Sequence, residues 1–209
     1  MTYSLPALSY HYNALEPYFD EKTMKIHHTK HHQAYIDNTN EIIKKNHLEK
    51  ISINELIKTL QEKPESIRNK LRNNAGGHAN HTLFWKILKP NTKITTTFKK
   101  IIENQFKTLT NFFNVFEKVA LDRFGSGWVW LVKKDNILEV VSTANQDNPL
   151  MGKEITGVND SYPVFGLDLW EHAYYLKYQN KKSDYIKAFW KIINWQEVES
   201  RFFHNEKLV

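Results

Sequence analysis

Apolar side chains recur every three to four residues along the first third of the chain, a spacing typical of helices that pack on a core. Over residues 20–46 this repeat predicts one long helix, with Asp20 as its N-cap. Residues 52–55 read Ser-Ile-Asn-Glu, a capping box that opens a short second helix. Pro64 ends that helix and begins a third, which runs to about residue 88. The first third is therefore predicted to be all helical.

The third predicted helix contains two adjacent glycines, Gly76 and Gly77, on a run that is otherwise helical. Each glycine inside a helix costs about 1 kcal/mol relative to alanine. We therefore expect another segment to approach the helix closely at this point, or the helix to bend there.

Beyond residue 90 the pattern becomes mixed. It is helical at 94–105 and 109–121, extended at 128–132, 137–141 and 162–168, and helical again at 170–178 and 184–194. The turn at 133–136 joins the first two extended segments into a β-hairpin. Helices followed by a small antiparallel sheet with further helices place the chain in the α+β class.

The composition narrows the possible chemistry. The chain has 209 residues, 41% hydrophobic and 25% charged, which is typical of an ordered globular protein. It has no cysteine, so disulfides, thiolate metal sites and cysteine nucleophiles are excluded, and any metal must bind through imidazole and carboxylate. No apolar run is long enough to span a membrane and the N-terminus lacks a secretory signature, so we expect no membrane partner and a cytoplasmic location.

The net charge of +6 suits nucleic acid, anionic lipid or a small anionic substrate. Only four of the 29 basic residues are arginine, and the lysines are spread along the chain. Because arginine is the usual residue for bidentate contacts to bases and phosphates, we expect no nucleic-acid partner. A basic helical nucleic-acid-binding protein remains the alternative from another class.

Ten histidines are the stronger signal. In the first helix His27, His31 and Tyr35 are spaced at i, i+4 and i+8 and share one face, while His28 and His32 lie about 100° away. Taken alone, this run of histidine and lysine is more typical of a solvated helix surface. Its interpretation as a metal site depends on what the other segments bring to it.

Two other segments supply matching ligands. The third helix carries His78 and His81, and the third strand runs into Asp168, four residues before His172. Three imidazoles and one carboxylate can thus converge, a set that suits iron, manganese or zinc. Taken alone, the segment from Asp168 is explained equally well by a capped aromatic helix, and a non-haem iron oxygenase or a purely structural metal site are further alternatives.

Five sequence strings together resemble the iron/manganese superoxide dismutase family. They are IHHTKHHQAY at 26–35, RNNAGGHANH at 72–81, RFGSGW at 123–128, NQD at 145–147 and DLWEHAYY at 168–175. The resemblance covers nearly the whole chain. It implies an N-terminal α-helical hairpin domain over 1–90 and an α/β domain over 91–209, with a three-stranded antiparallel sheet flanked by helices, in a homodimer with a metal between the domains.

The resemblance also implies a role for each site residue. The metal ligands would be His27, His81, Asp168 and His172, with a solvent molecule as the fifth ligand. The residues around them would be the gateway tyrosine Tyr35, the amide Gln146 that hydrogen-bonds the solvent, the imidazole His31 beside Tyr35, the aromatic wall Trp128 and Trp130, and two residues that cross the dimer interface, Glu171 and Tyr175.

The implied reaction converts two superoxide anions and two protons into dioxygen and hydrogen peroxide. A glutamine at position 146 with glycine at 77 resembles the manganese-type members, because iron-type members carry the glutamine in the helix. Manganese is therefore expected, one ion per subunit, with an iron-using or dual-metal enzyme as the alternative. On this interpretation a side chain at Gly77 would occupy the space that Gln146 needs.

Two lysines are candidates for steering the anionic substrate toward the metal, Lys30 and Lys181. Many relatives have an arginine pair where this chain reads Lys-Lys-Ser at 181–183. The change keeps the positive charge and loses the planar guanidinium, so steering is expected to persist while hydrogen bonds at the interface are affected.

Overall fold

The computed structural model describes residues 2–48 and 51–204. The N-terminal part is a helical hairpin, in which the first helical run packs against a long helix. Its helices are α1 (Glu21–Ile26), a π-helical segment (His27–His32), α2 (Gln33–Lys45), α3 (Ile53–Lys58) and α4 (Glu65–Lys86).

The C-terminal part combines helices with one sheet. Its helices and strands are α5 (Thr96–Phe106), α6 (Leu109–Asp122), β1 (Gly127–Lys134), β2 (Ile137–Ala144), α7 (Lys153–Thr156), β3 (Tyr162–Asp168), α8 (Tyr175–Tyr178), α9 (Lys182–Phe189) and α10 (Trp195–His204). The sheet is antiparallel with the strand order β2-β1-β3. The predicted α+β class, with a helical hairpin and a three-stranded antiparallel sheet, is confirmed.

The register of the sheet brings three site segments together. Trp128 on the central strand pairs with Thr143 on β2 and with Asp168 on β3. The end of β3 therefore lies beside Trp128, while Gln146 is the second residue after the end of β2.

The first helical run differs from the single α-helix that its periodicity predicts. Residues His27–His32 are π-helical, with α-helix on either side. The expectation of a solvated surface is wrong for three of its histidines, because His27, His28 and His32 are all buried. Each of these rings faces the interior, where it contacts other aromatic or imidazole rings.

The glycine pair in α4 does mark a close approach, and the helix continues through it without a break. A Cβ atom on Gly77 would lie 2.6 Å from Cγ of Tyr35, and one on Gly76 would lie 2.3 Å from the backbone oxygen of Gln146. A side chain at position 77 therefore meets the Tyr35 ring first, and the expected conflict of a longer side chain with Gln146 stays a prediction. Gly77 makes room for the Tyr35 ring, and Gly76 makes room for the Gln146 backbone.

Two helical predictions near the C-terminus are corrected. The segment at 170–178 consists of a 3₁₀ turn (Glu171–Ala173) and the short helix α8, because the Asp168 side chain accepts a hydrogen bond from the Trp170 backbone and favours a turn. Helix α9 ends at Phe189. Helix α10 follows Asn194 and was not predicted from the periodicity.

Within the described ranges 2–48 and 51–204, no helix has the length and apolar character needed to cross a membrane.

Candidate metal centre

Four side chains from both parts of the chain meet at one point. His27 comes from the π-helical segment, His81 from α4, Asp168 from the end of β3 and His172 from the turn after it. One ligand atom of each lies within 4.8 Å of all the others. The side chains of His27, His81 and Asp168 are buried, and that of His172 is 14% exposed. The cluster is therefore enclosed, with its most open side at His172.

The distances within the cluster suit a single ion. Oδ2 of Asp168 lies 3.2 Å from Nε2 of both His27 and His172, and 3.5 Å from Nε2 of His81. The Nε2 atoms of His27 and His81 are 2.9 Å apart. Around an ion with bonds of about 2.1 Å, ligand atoms are about 3.0 Å apart at right angles and about 3.6 Å apart at 120°. These four separations lie close to this range, so the donor set suits a single metal ion.

Neighbouring groups orient the donors toward the centre. The backbone oxygen of Gly77 can only accept, so Nδ1–H of His81 donates to it at 2.7 Å and leaves the Nε2 lone pair facing the cluster. Oδ1 of Asp168 accepts from the backbone N–H of Trp170 at 2.9 Å, which leaves Oδ2 for the centre. Such supporting hydrogen bonds fix the tautomer and the angle of metal-binding side chains.

The protonation states also suit a metal. Burial alone would raise the pKa of Asp168, but the neighbouring His172 and the imidazoles hydrogen-bonded to the carboxylate hold that pKa well below its usual range. Burial lowers the pKa of His27 from 6.5 to about 3. The carboxylate is therefore charged and the His27 ring neutral near pH 7, as metal binding requires.

An amide and a phenol lie beside the cluster. Oε1 of Gln146 accepts from the indole Nε1–H of Trp128 at 3.1 Å, and Nε2 donates to the Tyr35 hydroxyl at 3.0 Å. Because an indole can only donate, the orientation of the amide is determined. Burial and the charge of Asp168 raise the pKa of Tyr35 from 10.0 to about 12, so its phenol is protonated at neutral pH.

His31 lies against the ligands. Its ring stacks on that of His172 with centroids 4.3 Å apart, and meets the edge of His27 at 6.1 Å. Burial, together with His172, lowers the pKa of His31 from 6.5 to about 4. A neutral imidazole therefore borders the more exposed side of the cluster.

The tryptophan pair forms two layers. Trp128 meets the ring of His81 edge to face at 5.3 Å, and Trp130 stacks behind Trp128 at 5.3 Å. Trp130 donates its own indole hydrogen bond to Thr143. Trp128 thus borders the centre, and Trp130 supports it from the core.

The remaining predicted residues lie on the surface. Glu171, Lys30 and Lys181 are exposed, and Tyr175 is 48% exposed. In the described part of the chain, these four are the predicted site residues whose side chains do not lie around the His27, His81, Asp168 and His172 cluster.

Sequence reasoning assigned no role to several residues that support the site. Asn80 donates to both the backbone oxygen and Oε1 of Gln146, and accepts from the side chain of Asn148. Trp85 donates to His32, which in turn is hydrogen-bonded to His78. Buried polar side chains on α4 were the available signal, because a buried amide or imidazole requires hydrogen-bonding partners.

An enclosed set of three imidazoles and one carboxylate, flanked by a phenol and an amide, defines a metalloprotein with a single-ion centre. Comparisons with known proteins then identify the family. The chain belongs to the iron/manganese superoxide dismutase family, since residues 2–89 match its alpha-hairpin domain and residues 93–201 match its C-terminal domain. It is accordingly an oxidoreductase whose substrate is superoxide.

The chain is also similar to individual members over nearly its whole length. It is 60% identical over 207 residues to "Superoxide dismutase [Mn]" of Buchnera aphidicola subsp. Baizongia pistaciae, covering 98% of both chains. It is 54% identical over 203 residues to "Superoxide dismutase [Mn]" of Escherichia coli strain K12, covering 97% of this chain and 98% of that protein. These relatives agree with the family assignment.

Proposed function

We propose that this superoxide dismutase works with one manganese ion per subunit, held by His27, His81, Asp168 and His172. The observation that carries the proposal is the convergence of the four ligand atoms within 4.8 Å in a buried site. The word Mn in the names of both relatives supports manganese. Gly77 and Gln146 agree with this preference.

The reaction consists of two half reactions whose electrons balance. One superoxide anion gives up an electron and becomes dioxygen, and a second takes up that electron and two protons and becomes hydrogen peroxide. The metal, when bound, supplies this electron transfer by alternating between its trivalent and divalent states. The buried Asp168 carboxylate would offset part of the charge of the bound metal.

Tyr35 and Gln146 would hold and deliver the protons that the second superoxide anion takes up. The Tyr35 oxygen accepts the Gln146 hydrogen bond, so the phenol's own proton is free to be donated. The raised pKa of Tyr35, about 12, keeps that proton in place at neutral pH. His31, stacked on His172 at the more open side of the cluster, is the candidate to return protons from solvent.

The test is reconstitution of the metal-free protein with manganese and with iron, followed by measurement of superoxide loss. Activity with manganese alone supports the proposal, and activity with both metals contradicts the preference but not the reaction. A folded, metal-loaded protein without activity contradicts the whole proposal. A His81→Ala variant that still binds metal tightly would contradict the set of four ligands and favour an oxygenase-like site with two histidines and one carboxylate.

We also propose that the chain forms a homodimer through Glu171 and Tyr175, with Glu171 reaching His172 of the partner subunit and Tyr175 reaching His31 of the partner subunit. Exposed apolar side chains on the same molecule support a covered surface, since Phe124 is 99% exposed and Leu176 is 54% exposed. Light scattering should give twice the chain mass, and Glu171→Ala should lower it. A monomeric parent protein would contradict this proposal.

Lys30 and Lys181 are proposed to steer superoxide to the site. Lys181→Glu should lower the association rate and its dependence on salt, because steering by exposed charges is screened. Lys134→Glu is the matched control, since Lys134 is exposed and lies six residues from Trp128 along β1, about 20 Å away. An unchanged salt slope in Lys181→Glu would exclude the steering role.

Two further assignments, the domain bounds and the cellular location, belong to the proposal. The matches to the family at 2–89 and 93–201 support a division into domains over 1–90 and 91–209. The bacterial origin of the relatives supports a cytoplasmic location, which fractionation of cells expressing the chain would test.

A further inference from the structure

The loop that carries Gln146 lies along one face of α4. Arg72, Gly76 and Asn80 are spaced at i, i+4 and i+8 on that helix, so they share a face about 12 Å long. Each of the three meets the loop at 146–148.

The strongest of these contacts is an ion pair. Nε and Nη2 of Arg72 donate to the two carboxylate oxygens of Asp147 at 2.6 Å and 2.7 Å. Nη2 also donates to the backbone oxygen of Ile155 at 3.2 Å. The side chain of Asp147 is 3% exposed and that of Arg72 is 36% exposed. A forked pair with one buried partner fixes both distance and orientation, which a single hydrogen bond does not.

At the other end of this face, Asn80 holds the same loop. Its amide donates to the backbone oxygen of Gln146 at 3.1 Å and accepts from the Asn148 amide at 2.8 Å. Between the two contacts Gly76 allows the Gln146 backbone to lie against the helix. Residues 146–148 are therefore held on both sides of Gln146.

We propose that Arg72 is a positioning residue for Gln146 and acts through Asp147. The Arg72 guanidinium lies on α4 of the helical hairpin, and the amide whose position it determines lies in the loop after β2, beside the metal centre. The inference rests on the proposed role of Gln146 at that centre. The physical reason is that the Asp147 carboxylate is buried, so loss of Arg72 leaves its charge without a partner. The loop must then move to bring this carboxylate into contact with water. Moving Asp147 displaces the adjacent Gln146 from Trp128 and Tyr35.

The deciding experiment is a double-mutant cycle on the manganese-loaded enzyme, with Arg72→Gln, Gln146→Ala and both together. The readouts are the reduction potential, the turnover rate and the position of Gln146 in a crystal structure of each variant. We expect Arg72→Gln to shift the potential in the same direction as Gln146→Ala and to lower turnover roughly tenfold. In the double variant the potential should equal that of Gln146→Ala alone, because Arg72 then has no amide left to position.

The chain offers a matched control in Arg68, one turn earlier on α4, whose guanidinium donates to the Lys63 backbone oxygen and not to the 146–148 loop in the described part of the chain. Arg68→Gln should leave the potential and the Gln146 position unchanged. Arg72→Lys keeps the charge and loses the fork, and should give an intermediate shift. If Arg72→Gln does not fold, Arg72→Gln with Asp147→Asn removes both charges together and serves in its place.

The outcomes separate this inference from the proposed function. A normal potential and an unmoved Gln146 in Arg72→Gln, with a shifted potential in Gln146→Ala, overturn the role of Arg72 only. Shifts that add in the double variant also overturn it, because they show an effect that does not pass through Gln146. No shift in Gln146→Ala overturns the proposed role of Gln146 and the inference with it.

Discussion

At the scale of single residues, the glycine pair shows that a sequence pattern can indicate a close approach without identifying the first contact. A Cβ atom at position 77 meets the Tyr35 ring, whose hydroxyl accepts the Gln146 hydrogen bond. Gly76 meets the loop backbone directly. The two glycines therefore protect different contacts of the same amide, and substitutions at each should be distinguishable.

We expect Gly77→Ala to lower the free energy of unfolding by about 1–3 kcal/mol, because the new Cβ would force the Tyr35 ring aside. Gly76→Ala should cost more, since the Cβ meets a backbone oxygen that cannot rotate away. Both losses would oppose the gain of about 1 kcal/mol that alanine brings to a helix. Denaturant unfolding measures them, with the exposed Asn73→Ala as the control on the same helix. A stabilised Gly76→Ala would contradict the close approach.

At the scale of elements, periodicity identifies strands well and helical irregularities poorly. The third strand is predicted at its observed bounds, Tyr162–Asp168, because a run of aromatic and aliphatic residues follows the polar segment at 159–161 and closes at Asp168. A π-helical segment contains the same residue types as an α-helix, so no hydrophobic repeat reveals it. The turn after Asp168 depends on one side-chain hydrogen bond, so the hydrophobic repeat does not predict it either.

The π-helical segment makes its own prediction. A π turn holds about one residue more than an α turn, so deleting Thr29 should convert the segment to α-helix while the helices on either side keep their relative orientation. Deleting Ala34 from α2 should instead rotate His27 by about 100° relative to Tyr35 and take its imidazole out of the cluster. We expect metal bound per chain after dialysis to fall by about tenfold or more for the Ala34 deletion and to fall much less for the Thr29 deletion. Equal losses in the two deletions would show that the π turn does not absorb the deleted residue.

At the scale of the whole molecule, the site depends on both halves of the chain. His27 and His81 come from the helical hairpin, whereas Asp168 and His172 come from the region of the sheet. The sequence predicts that these four can converge, because each lies in a recognisable motif. It does not predict the bonds between Asn80 and the 146–148 loop, which exist only once α4 and the sheet have packed together.

A buried chain of imidazoles sets how the molecule responds to acid. Trp85 can only donate, so Nδ1 of His32 accepts from it at 3.0 Å, and Nε2–H of His32 donates to Nδ1 of His78 at 2.8 Å. Both rings must be neutral for this chain to form. Burial lowers the pKa of His78 from 6.5 to about 4 and lowers the pKa of His32 still further.

The sign of the pH dependence follows from these shifts. Below pH 6.5 the unfolded chain protonates both histidines while the folded chain does not, so the unfolded state binds more protons and stability falls as the pH falls. Each such histidine contributes a slope of about 1.4 kcal/mol per pH unit between pH 6.5 and its folded pKa. For His78 this window closes near pH 4, where the folded ring also takes up a proton.

We therefore expect His78→Gln to flatten the acid dependence of stability in the metal-free protein by about 1.4 kcal/mol per pH unit between pH 6 and 4.5. Metal-free protein is required because proton competition for the ligands adds a pH dependence of its own. Urea unfolding across this range measures the slope, and the exposed His204→Gln is the control that should match the parent. An unchanged slope in His78→Gln would mean that the folded protein already tolerates the charged ring, which the hydrogen bond from His32 to Nδ1 of His78 forbids as long as that bond is intact.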